Sequence, residues 1–432
     1  MKLRVRTLSG SFMDIGEILT RRGLIPRTHA SGPQHRRAHA TRLDHLVPGE
    51  WIESEQGRCF VSERAYALTH RHGELALGQV ISPDLPLLER FFRRDAFDLS
   101  QAAWIDTETT GLGRGAGTYC FLVGIGQIEG EHLVVRQYFM PDYGDEPCLL
   151  DLVLDRLERS LGLVSFNGIG FDVPLLETRC VLNGYGHAAL GQRPHLDLLP
   201  VARRLWRRML DSCALVALEK DLLSVPRPDD DIPGYLIPSV YQDYIRSGEA
   251  EGIARVMLHN RFDILSMVTL AARAAHVLAE SPHAEPGPYR DPVSLGRLYE
   301  NEGSVDQALA AYRQGLRAGH GATRAECGER LAMMLKRMDR WQEAAALWED
   351  ALSGASLHPY VELAKYLEHQ ERDYARARDV VLRALTGVRQ GRLRCSSPAT
   401  ALGELEHRLA RLERRARAME DKMPRECKDV SQ

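Results

Sequence analysis

Between Ala102 and about Glu280, apolar runs of strand length alternate with segments of helical spacing, and this alternation restricts the chain to a layered α/β fold. AAWID is a short apolar run ending in acids, and YCFLVGIGQI and HLVVRQYFM read as two strands joined at the turn around Glu129-Gly130-Glu131. Helical spacing of Leu and Val runs from Glu146 to Leu161, GLVSFN is another buried strand, and Val173 to Leu182 is helical again. Strand, hairpin, helix, strand and helix make a mixed sheet covered by helices. We assign this domain to residues 99–281.

The flanking segments differ in character. Residues 1–45 are rich in Arg, His, Gly and Ser with weak periodicity, as in a poorly ordered lead segment. Over 46–98, GRCFVSERAYAL and GELALGQVI read as short strands of a β-rich preamble. A Pro-rich linker over 282–292 precedes a second, all-α domain at 293–390, in which DQALAAYRQGL, QEAAALWEDAL and ARARDVVLRAL superpose with offsets of 36 and 33 residues. Ala308, Ala344 and Ala377 fall in register, and Leu295, Gly296 and Tyr299 supply the upstream helix of the first copy. A period near 34 is that of tetratricopeptide-like repeats, about three of them, whose stacked helix pairs offer a surface to a protein partner. Residues 391–432 read as a basic helical tail.

Composition narrows the partners. A formal charge of −3 gives no global attraction for nucleic acid, so any such binding must be local. Arg203, Arg204, Arg207 and Arg208 form one basic cluster and HRLARLERRARAMEDK another; a composition that favours Arg at solvated positions is the simpler account of either. The eight cysteines form no C-x-x-C pair. With no apolar leader and no run of roughly 18 apolar residues, the expectation is a cytoplasmic protein with no membrane partner.

Three motifs carry the chemistry. Asp106 and Glu108 lie two apart at the end of AAWID, so their carboxylates share one face of a strand, and Gly111 lets the chain turn away. Asn167-Gly168-Ile169-Gly170-Phe171-Asp172 follows the strand LVSF as a glycine-rich turn, with Asp172 opening the next helix either as a functional acid or as a plain N-cap. His259 and Asp263 are one helical turn apart at the start of the helix ILSMVTLAARAAHVL. Singly each is ordinary, but four carboxylates arriving together at sheet edges form the set that holds two hard divalent cations.

D-x-E-T-x-G, N-x-x-x-F-D and H-N-x-x-D together resemble the motifs of the DEDD exonuclease superfamily on the ribonuclease H-like fold, and most closely a YprB-type ribonuclease H-like family. THRHG, HLDLL at 195–199, DDIPGYLIP at 230–238 and the trailing repeats extend that resemblance over about 46–385. It implies a metal-dependent 3′→5′ exonuclease using two Mg²⁺ or Mn²⁺ ions held by Asp106, Glu108, Asp172 and Asp263, on DNA or RNA with a free 3′ end. His259 would orient or deprotonate the attacking water, although it stands at the spacing that normally carries Tyr in this superfamily. Thr107, Asn167, Phe171 and Asn260 are the expected substrate contacts, with a turn-stabilising role for Asn167 equally open. A structure-specific endonuclease and a repeat scaffold with a vestigial nuclease domain are the alternatives.

Overall fold

The computed structural model describes residues 4–6, 12–14, 41–81, 87–88, 90, 98–111, 113, 115–186, 189–280 and 287–420. Most of the lead segment, half of the linker and the end of the tail lie outside them. Within the lead, Arg4–Arg6 pairs with Phe12–Asp14. The chain divides into two compact units, residues 1–280 and 281–432.

In the first unit the strands of the main sheet are β1 (Glu50–Ser54), β2 (Gly57–Ala67), β3 (Ala102–Thr109), β4 (Cys120–Glu129), β5 (His132–Phe139), β6 (Gly162–Ser165) and β7 (His195–Asp197). They form one mixed sheet ordered β7-β6-β3-β4-β5-β2-β1, parallel across β7-β6-β3 and antiparallel elsewhere. The 46–98 segment therefore contributes its first hairpin to the edge of the main sheet. Its second apolar run, GELALGQVI, keeps only the two-residue strand Leu75–Ala76 and then turns into a 3₁₀ segment, because Leu77 and Val80, three apart, are both buried.

The longer helices of this unit are α1 (Glu146–Glu158), α2 (Asp172–Leu182), α3 (Leu198–Trp206), α4 (Ile237–Ser247) and α5 (Glu251–Ala279). Helix α5 starts eight residues before His259, because Ile253, Val256 and Met257 continue its buried face upstream. His259 is thus a mid-helix residue and not the helix-start residue that the sequence suggested. The helix is long and apolar enough to cross a membrane, yet 72% of its most apolar stretch is buried inside the unit.

Two glycines set how closely α5 lies on the sheet. A Cβ on Gly124 would stand 2.2 Å from Asn260 Oδ1 and 2.6 Å from Ile264 Cδ1, and one on Gly126 would stand 2.7 Å from Ile264 Cγ2. GIG in β4 is therefore a contact surface for the Asn260 and Ile264 side chains of the helix.

The second unit is helical: α6 (Pro292–Glu302), α7 (Val305–Ala318), α8 (Gly321–Arg337), α9 (Trp341–Ala351), α10 (His358–Tyr366), α11 (Tyr374–Arg389) and α12 (Pro398–Glu420). Each helix packs on its neighbours in sequence. Ala308, Ala344 and Ala377 are fully buried, and at Gly296 a Cβ would stand 2.3 Å from the Tyr312 ring. Helix α12 is fastened by charge: the carboxylate of Glu368, with no exposed side-chain surface, takes Arg408 and Arg411 at 2.8 Å and Arg415 at 3.2 Å. Three arginines of the tail's basic cluster are thus paired inside its own unit.

Candidate active site

Strand alternation puts Asp106 and Glu108 on one face of β3 and Thr107 on the other. A register shift between Glu108 and Thr109 ends the regular pairing with β4, as a bulge does where a strand re-aims its side chains. Two helices hold this strand end. The Thr107 hydroxyl donates to Asp172 Oδ1 at the start of α2. From α5, Asn260 Nδ2 donates to Asp106 Oδ2 at 2.7 Å and to the Asp106 carbonyl at 3.2 Å. Gln137 on β5 orients Asn260, its Nε2 donating to Asn260 Oδ1 at 2.8 Å and to the Met257 carbonyl at 2.6 Å. Buried Thr107 and Asn260 thus each bond one of the acids, Thr107 to Asp172 and Asn260 to Asp106.

The glycine-rich turn is built around a further acid. Asn167 sits in the left-handed region at φ 68°, which Asn tolerates better than most residues. Asp197 at the end of β7 accepts from Asn167 N at 2.8 Å, Ile169 N at 3.3 Å and Leu199 N at 3.0 Å, so one carboxylate pins the turn and caps α3. The Asn167 side chain remains on the cleft wall. Phe171 packs, half-buried, against the core beside Asp172. A Cβ on Gly168 would stand 2.3 Å from Ser165 Oγ.

The four carboxylates are brought together. Burial and then the charges of Asp263 and Asp172 push the Asp106 carboxyl well above its ordinary range. Glu108 is pushed up likewise, by burial first and then by Asp106, Asp263 and Asp172. Asp172 is raised to about 6, chiefly by burial, against the opposing Thr107 bond. Burial and mutual repulsion thus favour the protonated forms of Asp106, Glu108 and Asp172 over their ordinary behaviour when no cation is present.

Beyond Asp263 lies a network that the motifs did not contain. Arg227 donates to Asp263 Oδ1, pairs with Glu219 at 2.8 Å and with Asp231 at 2.9 Å, and lies 3.0 Å from His259 Nδ1. Asp231 Oδ1 is also 3.0 Å from His259 Nδ1, while His259 Nε2 stands 3.7 Å from Asp263 Oδ2. When His259 Nδ1 carries the proton it donates to Asp231, which leaves the Nε2 lone pair toward the acids. Asp231 lies in the DDIPGYLIP segment, but neither it nor Arg227 and Glu219 has a periodicity to betray it.

Among the described residues, no three His, Cys, Asp or Glu side chains stand in a ready-made ligating group. Asn260, Thr107 and Arg227 each occupy oxygens of the acids instead. The donors themselves, all hard carboxylate oxygens that repel one another, suit a divalent cation such as Mg²⁺ or Mn²⁺. Asp106 and Asp263 open on a cleft of about 860 Å³, lined also by Phe166, Asn167, Leu199, Arg203, Arg207 and the segment 210–215.

This sheet, with a hairpin of three antiparallel strands joined to two parallel ones and acids at the end of its central strand, is that of a ribonuclease H-like domain, a nuclease fold that acts on nucleic acid. Residues 103–275 match the family model described as RNase_H superfamily. The chain is 29% identical over 377 residues to a curated relative, "Uncharacterized protein YprB" of Bacillus subtilis (strain 168), covering 84% of this chain and 87% of that protein.

Proposed function

We propose that the first unit is a metal-dependent 3′→5′ exonuclease that hydrolyses phosphodiester bonds of DNA or RNA. The observation that carries this reading is the convergence of Asp106, Glu108, Asp172 and Asp263, with His259 beside Asp263, on a ribonuclease H-like sheet where Asp106 and Asp263 open on one cleft. Divalent cations held by these four carboxylates, two in the pattern the resemblance implies, would polarise the phosphate and acidify an attacking water.

His259 takes the proton of that water through Nε2, with Asp231 holding the ring by Nδ1. Water attacks phosphorus in line, the bond to the leaving 3′ oxygen breaks, and a nucleoside 5′-monophosphate departs. Asn260 keeps the Asp106 carboxylate aimed inward through both of its hydrogen bonds. Asn167, on the cleft wall, is left to meet the substrate.

We read the second unit as tetratricopeptide-like repeats that present a surface to a protein partner. The buried small residues at Ala308, Ala344 and Ala377 and the neighbour-on-neighbour helix packing support it.

The test is incubation of the full chain with 3′- and 5′-labelled DNA and RNA oligonucleotides in Mg²⁺, Mn²⁺ or EDTA. The reading requires mononucleotides released from the 3′ end, loss of release in EDTA, and loss in Asp106→Asn. Cleavage of circular or 3′-blocked substrate at the same rate would replace it with an endonuclease.

A further inference from the structure

The four arginines of α3 and its end are not equivalent. Leu198, Leu199, Val201, Ala202, Leu205 and Trp206 bury one face of the helix, which leaves Arg203, Arg204, Arg207 and Arg208 outside. Only Arg203 and Arg207 line the cleft that holds Asp106 and Asp263. They are also unlike the arginines that are ion-paired elsewhere in this chain. Arg227 is consumed by Glu219, Asp231 and Asp263, and Arg408, Arg411 and Arg415 are consumed by Glu368. Arg203 and Arg207 are exposed, and neither has an ion-pair partner among the described residues; Asp211 shares the cleft lining with them and does not pair with either.

Two unpaired guanidiniums one helical turn apart, roughly 6 Å between side-chain bases, face a centre built of carboxylates. They do not neutralise that centre, because the pairs Asp263 and Asp172 make are with Arg227 and Thr107. A ligand that satisfies both ends of the cleft must carry repeated negative charge along its length and reach the acids at one end. An extended polynucleotide strand has that form, and Arg binds its phosphates in bidentate fashion.

We propose that Arg203 and Arg207 bind backbone phosphates of the substrate strand beside the scissile bond, and that they set the register in which the 3′ end enters the cleft. This rests on the reading of the acid cluster as the hydrolytic centre. The two residues bind, and the chemistry stays with the acids and His259. Because phosphate contacts carry no base information, the contact is indifferent to sequence. It also gives the chain the local basic patch that its net charge of −3 lacks.

The test separates binding from turnover. Fluorescence anisotropy of a short labelled single-stranded DNA, and of the matching RNA, is measured on the full chain in Ca²⁺ over a series of KCl concentrations. Arg203→Gln/Arg207→Gln is expected to weaken binding about tenfold or more and to reduce the slope of log K against log salt by about 1 to 2, one phosphate contact per arginine. In hydrolysis assays the same variant should raise KM far more than it lowers kcat. Arg204→Gln/Arg208→Gln removes equal charge from the same helix outside the cleft and is expected to leave the slope near that of the unaltered protein. An unchanged slope in the first variant, an equal loss in the second, or no binding by the unaltered protein overturns the proposal. Binding that behaves as expected in a protein that hydrolyses nothing would sustain the arginine assignment and overturn the hydrolytic reading alone.

Discussion

Replacing Asp172 by Asn tests whether the acids store electrostatic strain. The Asp172 carboxyl is buried and raised from 3.8 to about 6, so its folded form binds a proton that the unfolded chain has already released between those values. Stability of the cation-free protein therefore falls as pH rises from about 4 to about 6 and stays low above. A rise of roughly two units is worth about 3 kcal/mol at neutral pH. Asn keeps the shape and still accepts the Thr107 hydroxyl through its carbonyl oxygen, but the weaker bond offsets roughly 1 kcal/mol of the gain. Asp172→Asn should thus stabilise the first unit by about 2 kcal/mol near pH 7.5 in EDTA, or roughly 4 to 8 °C, and by almost nothing near pH 4. Calorimetry of the full chain reads this, with Mn²⁺ identifying the first unit as the transition it shifts in the unaltered protein; the variant should lose that shift together with nuclease activity. A melting temperature in EDTA that is the same for both proteins at both pH values would refute the reasoning.

His259→Ala should lower kcat about a hundredfold with little change in Mn²⁺ affinity, and Asp231→Asn about tenfold, read by single-turnover hydrolysis across pH. Gly124→Ala drives a methyl into Asn260 and Ile264; it should cost about 1 to 3 kcal/mol in thermal unfolding and reduce hydrolysis by releasing Asp106 from its hydrogen bonds. Glu368→Gln removes the common partner of Arg408, Arg411 and Arg415 and should weaken the second unit by about 2 kcal/mol, detectable as faster proteolysis between α11 and α12 with the first unit unaffected.

The sheet and the acids were legible in the sequence because their signals are local. Continuous apolar runs of strand length give β3, β4 and β5, and two carboxylates spaced i, i+2 announce a shared face. The hydrogen bonds of Thr107 and Asn260 to Asp172 and Asp106 were not legible, because a polar residue near an acid looks the same in sequence whatever it bonds. The Gln137 that orients Asn260 lies 123 residues away and carries no local signal. Arg227 and Asp231 lie in a Pro- and Asp-rich loop with no period to read, and their partner His259 is 32 and 28 residues further on. Arg203 and Arg207 were visible as a cluster, but the cleft that distinguishes them from Arg204 and Arg208 exists only once α3 is laid beside β3 and α5.

The acids of the centre come from distant parts of the chain, Asp106 early and Asp263 late, and it is Asn260, beside the latter, that grips the former across 154 residues. During synthesis the first carboxylate is therefore made long before the residues that aim it. A nascent chain that has delivered the central strand and the glycine-rich turn still lacks Asp263, His259 and Asn260, so the acid cluster is completed only when α5 has been made.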